Sequence, residues 1–416
     1  MMEIEIISVG TELALGQVVN TNAAYLADQL TQLDLAVTYQ TTIADKKSVM
    51  VPTIQQALCR AQLVFICGGL GPTDDDITMA TVATALGTKL QVDQQHWEWI
   101  QAKFKQRQIA MEPENIQQAQ YLVGGKSLAN PVGLALGCWY QSDQGVVVVL
   151  PGPPAEFKAM VKESLLPMLK QQYSTTQQIT SWTLNFLGRP ESLLMDEIKA
   201  ATKGMDGITI TSYVQPTSIQ VRLTVRDLPV AAASQLINQA QEKILAVEGP
   251  YYFGTGDNLR LVDVVVAELK KRHWKIAAAE SLTGGLFQST ICSVPGASSV
   301  FDGGFVTYAA EAKEELLAIP EEIIDKYGVV SAEVAKAMAQ QACQRMKATV
   351  GISFTGVAGP DSLENHPAGT VWLGLAIKGR KVLAKELHLA AYSGRQAIRQ
   401  LSVQYGLQFL LTEMTK

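Results

Sequence analysis

The stretch GGLGPTDDD, from Gly68 to Asp76, combines a glycine-rich turn with adjacent aspartates. An apolar run precedes it and a helix-like segment follows it. Glycines at such a turn let backbone N–H groups approach an anion at a helix N-terminus, and carboxylates hold hard cations such as Mg²⁺. Adjacent carboxylates repel one another unless a cation lies between them. The stretch therefore predicts a phosphate and metal site, although aspartate also caps helices without any ligand.

A second strand–turn–helix junction, AESLTGG, places Ser281 between an apolar strand and two glycines. The setting resembles a nucleophile elbow without its G-x-S-x-G sequence, and N–H groups near Gly284 and Gly285 could bind an oxyanion or a phosphate. Tyr308 and Lys313 flank a later strand-to-helix junction, where a desolvated lysine could deprotonate a serine. The alternative is a helix-capping serine, a core tyrosine and a solvated lysine. Spacing alone favours that alternative.

Further candidate contacts for a ligand follow two later strands of the same region. They are Thr355, Gly356, Gly359, Gly369, Thr370 and Arg395. Loops at the carboxyl edge of a sheet often line one pocket, and the fork of an arginine suits an anionic group. Turns and a surface charge explain the same residues equally well.

The elements that must position the first motif alternate between strand and helix signals over residues 1–170. Fully apolar runs at Leu63–Cys67 and Val146–Leu150 are typical of strands inside a parallel sheet. The pattern therefore predicts an α/β domain with its ligand loops at the carboxyl ends of the strands.

Two further domains are predicted after the Gln- and Thr-rich stretch QQYSTTQQITS. Residues 171–255 indicate a small α+β unit, a spacer or dimerisation module, and Tyr251–Asn258 is predicted to be a linker. Residues 256–416 indicate another α/β domain, with a buried strand at Ile276–Ala279 and a long final helix.

Composition excludes several classes of protein. The chain has 416 residues, is 47% hydrophobic and 18% charged, and carries a net charge of -5, so it gives no strong nucleic-acid signal. No apolar run reaches bilayer length, and the N-terminus predicts a strand rather than a signal peptide. The cysteines are scattered without a C-x-x-C pair, which predicts reduced thiols and a cytosolic protein without a membrane partner.

Together the motifs resemble the CinA family (competence/damage-inducible protein) along the whole chain. In the first domain the matching segments are Gly10-Thr11-Glu12, Gly16, Asn20-Thr21-Asn22, GGLGPTDDDIT and LPGPPAEF. This domain is similar to the molybdopterin-binding fold, and the resemblance implies a metal-dependent ADP-ribose pyrophosphatase. The expected phosphate contacts are Asn22, Gly68, Gly69, Gly71 and Thr73. The expected ligands of a divalent Mg²⁺, Mn²⁺ or Co²⁺ ion are Glu12, Asp74, Asp75 and Asp76.

The third domain resembles bacterial nicotinamide mononucleotide (NMN) deamidases. The resemblance lies in AESLTGG, the turn Gly296-Ala297-Ser298-Ser299, GFVTYAAEAK, SFTGVAGPD and AGTVW. The catalytic set that it implies is Ser281, Ser298, Tyr308 and Lys313, with Thr283, Gly284, Gly285 and Arg395 among the substrate contacts. No metal or other cofactor is expected there, since the chemistry is acyl transfer.

The resemblance favours a catalytic Ser281 over the capping alternative, and Ser298 stays open as a rival nucleophile. Family members commonly have cysteine where this chain has Leu282, so a thiol at that position is not the nucleophile here.

The middle unit resembles the small KH-like segment of the family, including the sequence GRPES, but the acidic chain gives no support for RNA binding. Exposed strands in this unit make a homodimer the expected assembly. Two other functions stay open: a first domain that binds a pterin or nucleotide without catalysis, and a non-enzymatic competence or DNA-uptake factor.

Overall fold

A computed structural model describes residues 2–33, 35–173 and 179–416. The chain forms two compact units, Met1–Gln177 and Gln178–Lys416. Residues 174–178, within the predicted break QQYSTTQQITS, lie outside the described residues. No helix in the described ranges is both long enough and apolar enough to cross a bilayer.

The first unit contains strands and helices in alternation. Its strands are β1 (Ile4–Val9), β2 (Tyr39–Ile43), β3 (Leu63–Cys67), β4 (Leu90–Val92), β5 (Gln120–Leu122), β6 (Lys126–Leu128), β7 (Gly137–Gln141) and β8 (Val146–Leu150). Its helices are α1 (Thr11–Ala14), α2 (Thr21–Thr31), α3 (Lys47–Arg60), α4 (Thr78–Leu86), α5 (Gln94–Arg107), α6 (Pro154–Met160) and α7 (Leu166–Tyr173). A π-helical segment, Val161–Leu165, joins the last two.

The main sheet of this unit has the order β2-β1-β3-β8-β7-β6. The first four strands of that order are parallel, and β7 pairs antiparallel with both β8 and β6. Apolar side chains cover both faces, with α2, α6 and α7 packed on one face and α3 and α4 on the other. The continuous burial of Leu63–Cys67 follows from this two-sided packing.

The second unit contains the other elements. Its strands are β9 (Ile179–Phe186), β10 (Ile208–Val214), β11 (Ile219–Arg226), β12 (Tyr252–Thr255), β13 (Ile276–Glu280), β14 (Phe301–Val306), β15 (Val350–Gly356), β16 (Thr370–Ile377) and β17 (Leu383–His388). Its helices are α8 (Glu191–Ala201), α9 (Val230–Glu248), α10 (Leu261–Lys271), α11 (Leu286–Cys292), α12 (Ala310–Leu317), α13 (Glu321–Tyr327), α14 (Ala332–Arg345) and α15 (Gly394–Thr415).

The middle sheet has the order β10-β11-β9-β12, all antiparallel. Strand β12 corrects the predicted linker Tyr251–Asn258, because Tyr252–Thr255 pairs with β9 through a bulge. The Asn185 side chain donates to the Gly254 and Gly256 carbonyls at 3.1 and 2.9 Å. The glycines that indicated a turn therefore belong to a bulged edge strand.

The C-terminal sheet has the order β14-β13-β15-β16-β17, with β13 parallel to both neighbours and β16 and β17 antiparallel. Helices α10, α11 and α15 pack on one face, and α12 and α14 on the other. This core includes Leu187 and Phe253 of the middle segment. Gln408 of α15 also donates to the Leu187 carbonyl at 3.1 Å, so the middle and C-terminal segments share packed surface.

Candidate functional site

Ser281 lies at the carboxyl end of β13, where the chain turns into α11. Its backbone N–H donates to the Phe354 carbonyl at 2.8 Å, which continues the pairing with β15 for one residue. Its own carbonyl accepts the N–H of Gly284 at 3.1 Å and closes a tight turn. The residue is 9% exposed, so the turn holds the hydroxyl at the edge of the core.

Lys313 of α12 is fully buried and reaches this serine from the neighbouring strand–helix junction. Its Nζ lies 3.2 Å from Ser281 Oγ and 2.9 Å from the Thr307 carbonyl. The carbonyl oxygens of Tyr308 and Ala309 lie at 3.5 and 3.4 Å from the same nitrogen. A solvated surface lysine is therefore excluded, and the predicted serine–lysine proximity is present.

Burial lowers the pKa of Lys313 from 10.5 to about 8. The negative charges of Glu364 and Glu311 act in the opposite direction but do not offset the loss of solvation. With that pKa, roughly a tenth of the amine is neutral at pH 7. A neutral amine can donate to the surrounding carbonyl oxygens and keep its lone pair for the serine hydroxyl.

The turn after Ser281 is held from one side by the fully buried Glu280. Its carboxylate accepts the N–H groups of Gly285 and Phe287, each at 3.0 Å, and of Gln288 at 2.9 Å. The Gly284 N–H is already donated to Ser281. The N–H groups of both glycines therefore have partners within the chain, and an oxyanion donor near them stays a prediction.

Arg399 of α15 holds the same turn from the other side. Its Nε donates to the Leu282 carbonyl at 3.1 Å and its Nη2 to the Thr283 carbonyl at 2.7 Å. The roles of Glu280 and Arg399 were not predicted from the sequence. The available signal for Arg399 was its position four residues after Arg395, which places both on one helix face.

Arg395, at the start of α15, links two of the predicted loops. It donates to the Tyr308 hydroxyl at 2.7 Å and to the Gly359 carbonyl at 2.8 Å. Tyr308 is 62% exposed, which excludes the core-tyrosine alternative. A cavity of about 260 Å³ lies beside these groups, lined by Leu286, Arg395, Gln396, Arg399 and Gln400. The Arg399 guanidinium already binds the turn carbonyls, so Arg395 is the residue of this lining that suits an anionic ligand.

The remaining predicted contacts meet at the same sheet edge, because β15 ends where β16 begins. Thr355 donates to the Val329 carbonyl at 2.5 Å. A side chain on Gly356 would collide with the Thr370 carbonyl, and one on Gly369 with the Leu389 carbonyl. Close backbone approach thus accounts for both glycines, and their contact with a ligand stays a prediction.

The position of Ser298 changes the predicted catalytic set. It is exposed and lies in a short 3₁₀ turn before β14, where Lys275 donates to its carbonyl at 3.3 Å. Since Ile276 pairs with Phe301 and Glu280 with Val306, Ser298 and Ser281 lie at opposite ends of parallel strands. That separation is roughly 16 Å from the rise of five strand residues. Within one chain Ser298 therefore cannot replace Ser281 beside Lys313.

The first unit has its own cleft, of about 700 Å³, at the carboxyl edge of its parallel strands. The loops after β1 and β3 diverge there, because the sheet order is β2-β1-β3-β8. The loop after β1 leads toward β2 on one side, and the loop after β3 leads toward β8 on the other. Gly68, Gly69 and Gly71 line this cleft. At Gly68 and Gly69 the φ angles are +113° and +65°, and a side chain would collide with the Val9 carbonyl or the Thr78 hydroxyl.

Two predicted phosphate contacts in this cleft need correction. The Thr73 N–H and hydroxyl both donate to Asp76 Oδ2, at 3.0 and 2.6 Å. Asn22 donates its amide to the Gly152 carbonyl at 2.7 Å, and its buried Oδ1 has no partner in the described residues. Both donors of Thr73 are therefore in use, as is one of the two N–H bonds of the Asn22 amide. The free atom of Asn22 is an acceptor, which suits a hydroxyl or a cation better than a phosphate.

The predicted metal ligands are not brought together. Within the described ranges, no three side chains of histidine, cysteine, aspartate and glutamate converge to hold a metal ion. Glu12, Asp75 and Asp76 line the cleft, whereas Asp74 does not. Asp45, which was not predicted from the sequence, also lines the cleft and accepts the Thr11 N–H at 2.7 Å. Its signal was its position just after β2. The carboxylates thus form no protein-only metal cage.

Comparison with known proteins covers the chain from end to end. Family models match residues 5–171 (probable molybdopterin binding domain), 181–254 (damage-inducible protein CinA KH domain) and 258–414 (CinA C-terminal domain). A competence-damage inducible protein of Limosilactobacillus reuteri is 68% identical over 100% of both chains. One from Limosilactobacillus fermentum is 54% identical over 98% of both.

Among solved structures, the competence/damage inducible protein from Agrobacterium tumefaciens is 31% identical over 38% of this chain and 94% of its own, with a TM-score of 0.36. The family models match in the order expected from the sequence motifs, and the full-length relatives carry one family name. The chain therefore belongs to the CinA family of competence-damage inducible proteins.

Proposed function

We propose that the C-terminal domain hydrolyses the carboxamide of NMN to nicotinate mononucleotide and ammonia. The observation that carries the proposal is the fully buried Lys313, whose Nζ lies 3.2 Å from Ser281 Oγ and whose pKa is lowered to about 8. A pair of this kind activates a serine for acyl transfer without a histidine or a metal. The resemblance to NMN deamidases supports the choice of substrate.

In the first step Ser281 Oγ attacks the carboxamide carbon and transfers its proton to neutral Lys313. A new O–C bond forms, and the electron pair of the carbonyl moves to its oxygen. When the tetrahedral intermediate collapses, Lys313 returns the proton to the leaving nitrogen and ammonia departs. This leaves the acyl group on Ser281.

In the second step a water molecule attacks the acyl carbon and gives a proton to Lys313. Collapse of this second intermediate breaks the bond to Ser281, whose oxygen recovers the proton, and nicotinate mononucleotide is released. Tyr308 and Arg395, joined by their 2.7 Å hydrogen bond, lie on the solvent side of the site. Arg395 is suited to the phosphate of the substrate by its two donor groups.

We further propose that the first domain binds ADP-ribose and hydrolyses it to AMP and ribose 5-phosphate. The cleft of about 700 Å³ supports this, because the N–H groups of Gly69, Leu70 and Gly71 have no partner in the described part of the chain. Such successive donors suit a pyrophosphate. A divalent ion bound there would neutralise the phosphate charge, and Asp75 and Asp76 are carboxylates of the cleft lining that could hold it.

The decisive experiment incubates the purified full chain with NMN or ADP-ribose, each with and without EDTA. We expect ammonia from NMN in both conditions, and AMP from ADP-ribose only without EDTA. Binding of ADP-ribose without AMP formation in Mg²⁺, Mn²⁺ or Co²⁺ would favour a non-catalytic first domain. Absence of ammonia under all conditions would exclude the deamidase.

That the protein is a homodimer and lies in the cytosol stays a prediction from the sequence.

A further inference from the structure

Two N–H groups beside Ser281 have no acceptor in the described part of the molecule: those of Leu282 and Thr283. Both residues are buried, and the buried Thr283 hydroxyl also has no partner. Buried polar groups are nearly always paired. Leu282 and Thr283 therefore keep donors available within two residues of the serine, where an acyl-transfer site needs them.

Arg399 determines the direction of one of these donors. In a trans peptide the carbonyl of one residue and the N–H of the next point to opposite sides of the same plane. Arg399 binds the carbonyl oxygens of Leu282 and Thr283, so both oxygens face α15. The N–H groups of Thr283 and Gly284 must then both point away from α15.

The Gly284 N–H donates to the Ser281 carbonyl at 3.1 Å, so this carbonyl lies on the side of the turn that faces away from α15. The Thr283 N–H consequently points toward the side of the turn that carries Ser281. We propose that Arg399 is a positioning residue, which aligns the Thr283 N–H as the donor for the oxyanion formed when Ser281 attacks an acyl carbon. The inference rests on the proposed serine–lysine chemistry and assigns it a donor.

A test replaces Arg399 with Met and with Lys in the full chain and measures kcat and KM for NMN. Loss of one oxyanion donor lowers kcat roughly 10²- to 10³-fold. Arg399→Met would misalign the donor rather than remove it, so kcat should fall by about 10- to 100-fold with little change in KM. Lys can reach one carbonyl but not both, so Arg399→Lys should recover part of the loss. An unchanged kcat, or a raised KM alone, would overturn the inference.

The matched control is Arg380→Met. Like Arg399, Arg380 donates from its guanidinium to a backbone carbonyl. Its acceptor is the Glu413 carbonyl at 2.7 Å, at the far end of α15 from the site. We expect wild-type kinetics for this variant. Thermal melting of each variant shows whether it is folded. If the pH profile of kcat in Arg399→Lys matches that of the wild type, the substitution has not altered the pKa of Lys313.

A second readout does not depend on NMN. p-Nitrophenyl acetate should acetylate Ser281: the serine oxygen bonds to the acetyl carbon, its proton passes to Lys313, and p-nitrophenolate leaves. Mass spectrometry locates the acetyl group. We expect a rate at least about tenfold lower in Arg399→Met and unchanged in Arg380→Met.

The two readouts distinguish the failures. If wild-type protein is acetylated in an Arg399-dependent way but leaves NMN intact, only the proposed substrate falls. If NMN is hydrolysed equally well without Arg399, only the positioning role falls. If neither reaction occurs in the wild type, both fall.

Discussion

The two candidate sites differ in how far the folded chain assembles them. Around Ser281 a single lysine is fully buried and already within 3.2 Å of the serine oxygen. In the cleft of the first domain, the carboxylates lie around a large hollow without converging. The proposed acyl transfer needs its lysine buried before substrate binds, because desolvation lowers the pKa of the amine. The proposed phosphate cleft can instead gain its last contacts from its ligand.

The largest expected effect is loss of deamidation in Ser281→Ala and in Lys313→Met. Each removes one member of the pair, so kcat/KM for NMN should fall about 10³-fold or more, as for other groups that act as a unit. The release of ammonia measures it. Ser298→Ala is the matched serine control and should stay within about threefold of wild type, because that serine lies at the opposite strand end. A large loss there would contradict the geometry.

The next effect concerns the cleft of the first domain. Replacing Asp75 and Asp76 together with Asn should lower AMP formation from ADP-ribose by about 100-fold, if these carboxylates support a cation on the phosphates. Asp74→Asn is the control from the same run and should have little effect, since Asp74 does not line the cleft. Equal losses in both variants would mean that the described arrangement changes when ligand binds. Deamidation should be unaffected in all of them.

A smaller effect is the pH dependence of deamidation. The pKa of Lys313 is lowered to about 8, and the proposed mechanism uses its neutral amine as the base. Between pH 7 and pH 9 the neutral fraction rises about tenfold, and kcat/KM for NMN should rise with it toward a plateau. A profile that falls over this range would require a different base.

The smallest effect is one of stability. A buried lysine whose folded pKa lies below its unfolded pKa destabilises the folded state while it is charged. Lys313→Met should therefore raise the free energy of unfolding at pH 7 by about 1 kcal/mol, after allowance for the lost hydrogen bonds. The gain should shrink as pH rises from about 8 to 10.5, because the wild-type amine then loses its charge. Denaturant melts at several pH values measure it.

The sequence predicted the fold class and most strands correctly because buried parallel strands are continuous apolar runs. It missed β12, since the partner that makes Tyr252–Thr255 a strand is β9, more than sixty residues earlier. Pairing over such a distance leaves no local pattern.

The same distinction, between local patterns and contacts distant in sequence, applies to the candidate sites. Ser281 and Lys313 were found because each follows a strand end, and strand ends meet at one sheet edge. Ser298 was misplaced because a motif in sequence does not say at which end of a strand it lies. The use of Thr73 and Asn22 as internal donors depends on where Asp76 and Gly152 fall in space, which no spacing rule gives.

The shared core of the second unit has a consequence for anyone who shortens this chain. A fragment that begins near Leu259 would remove Leu187 and Phe253 from the core that they complete. Each buried side chain of this size is worth roughly 1.5–3 kcal/mol, and its loss would leave an apolar hollow open to water. A fragment that begins near Ile179 retains both side chains, so the middle segment completes part of the hydrophobic core of its neighbour.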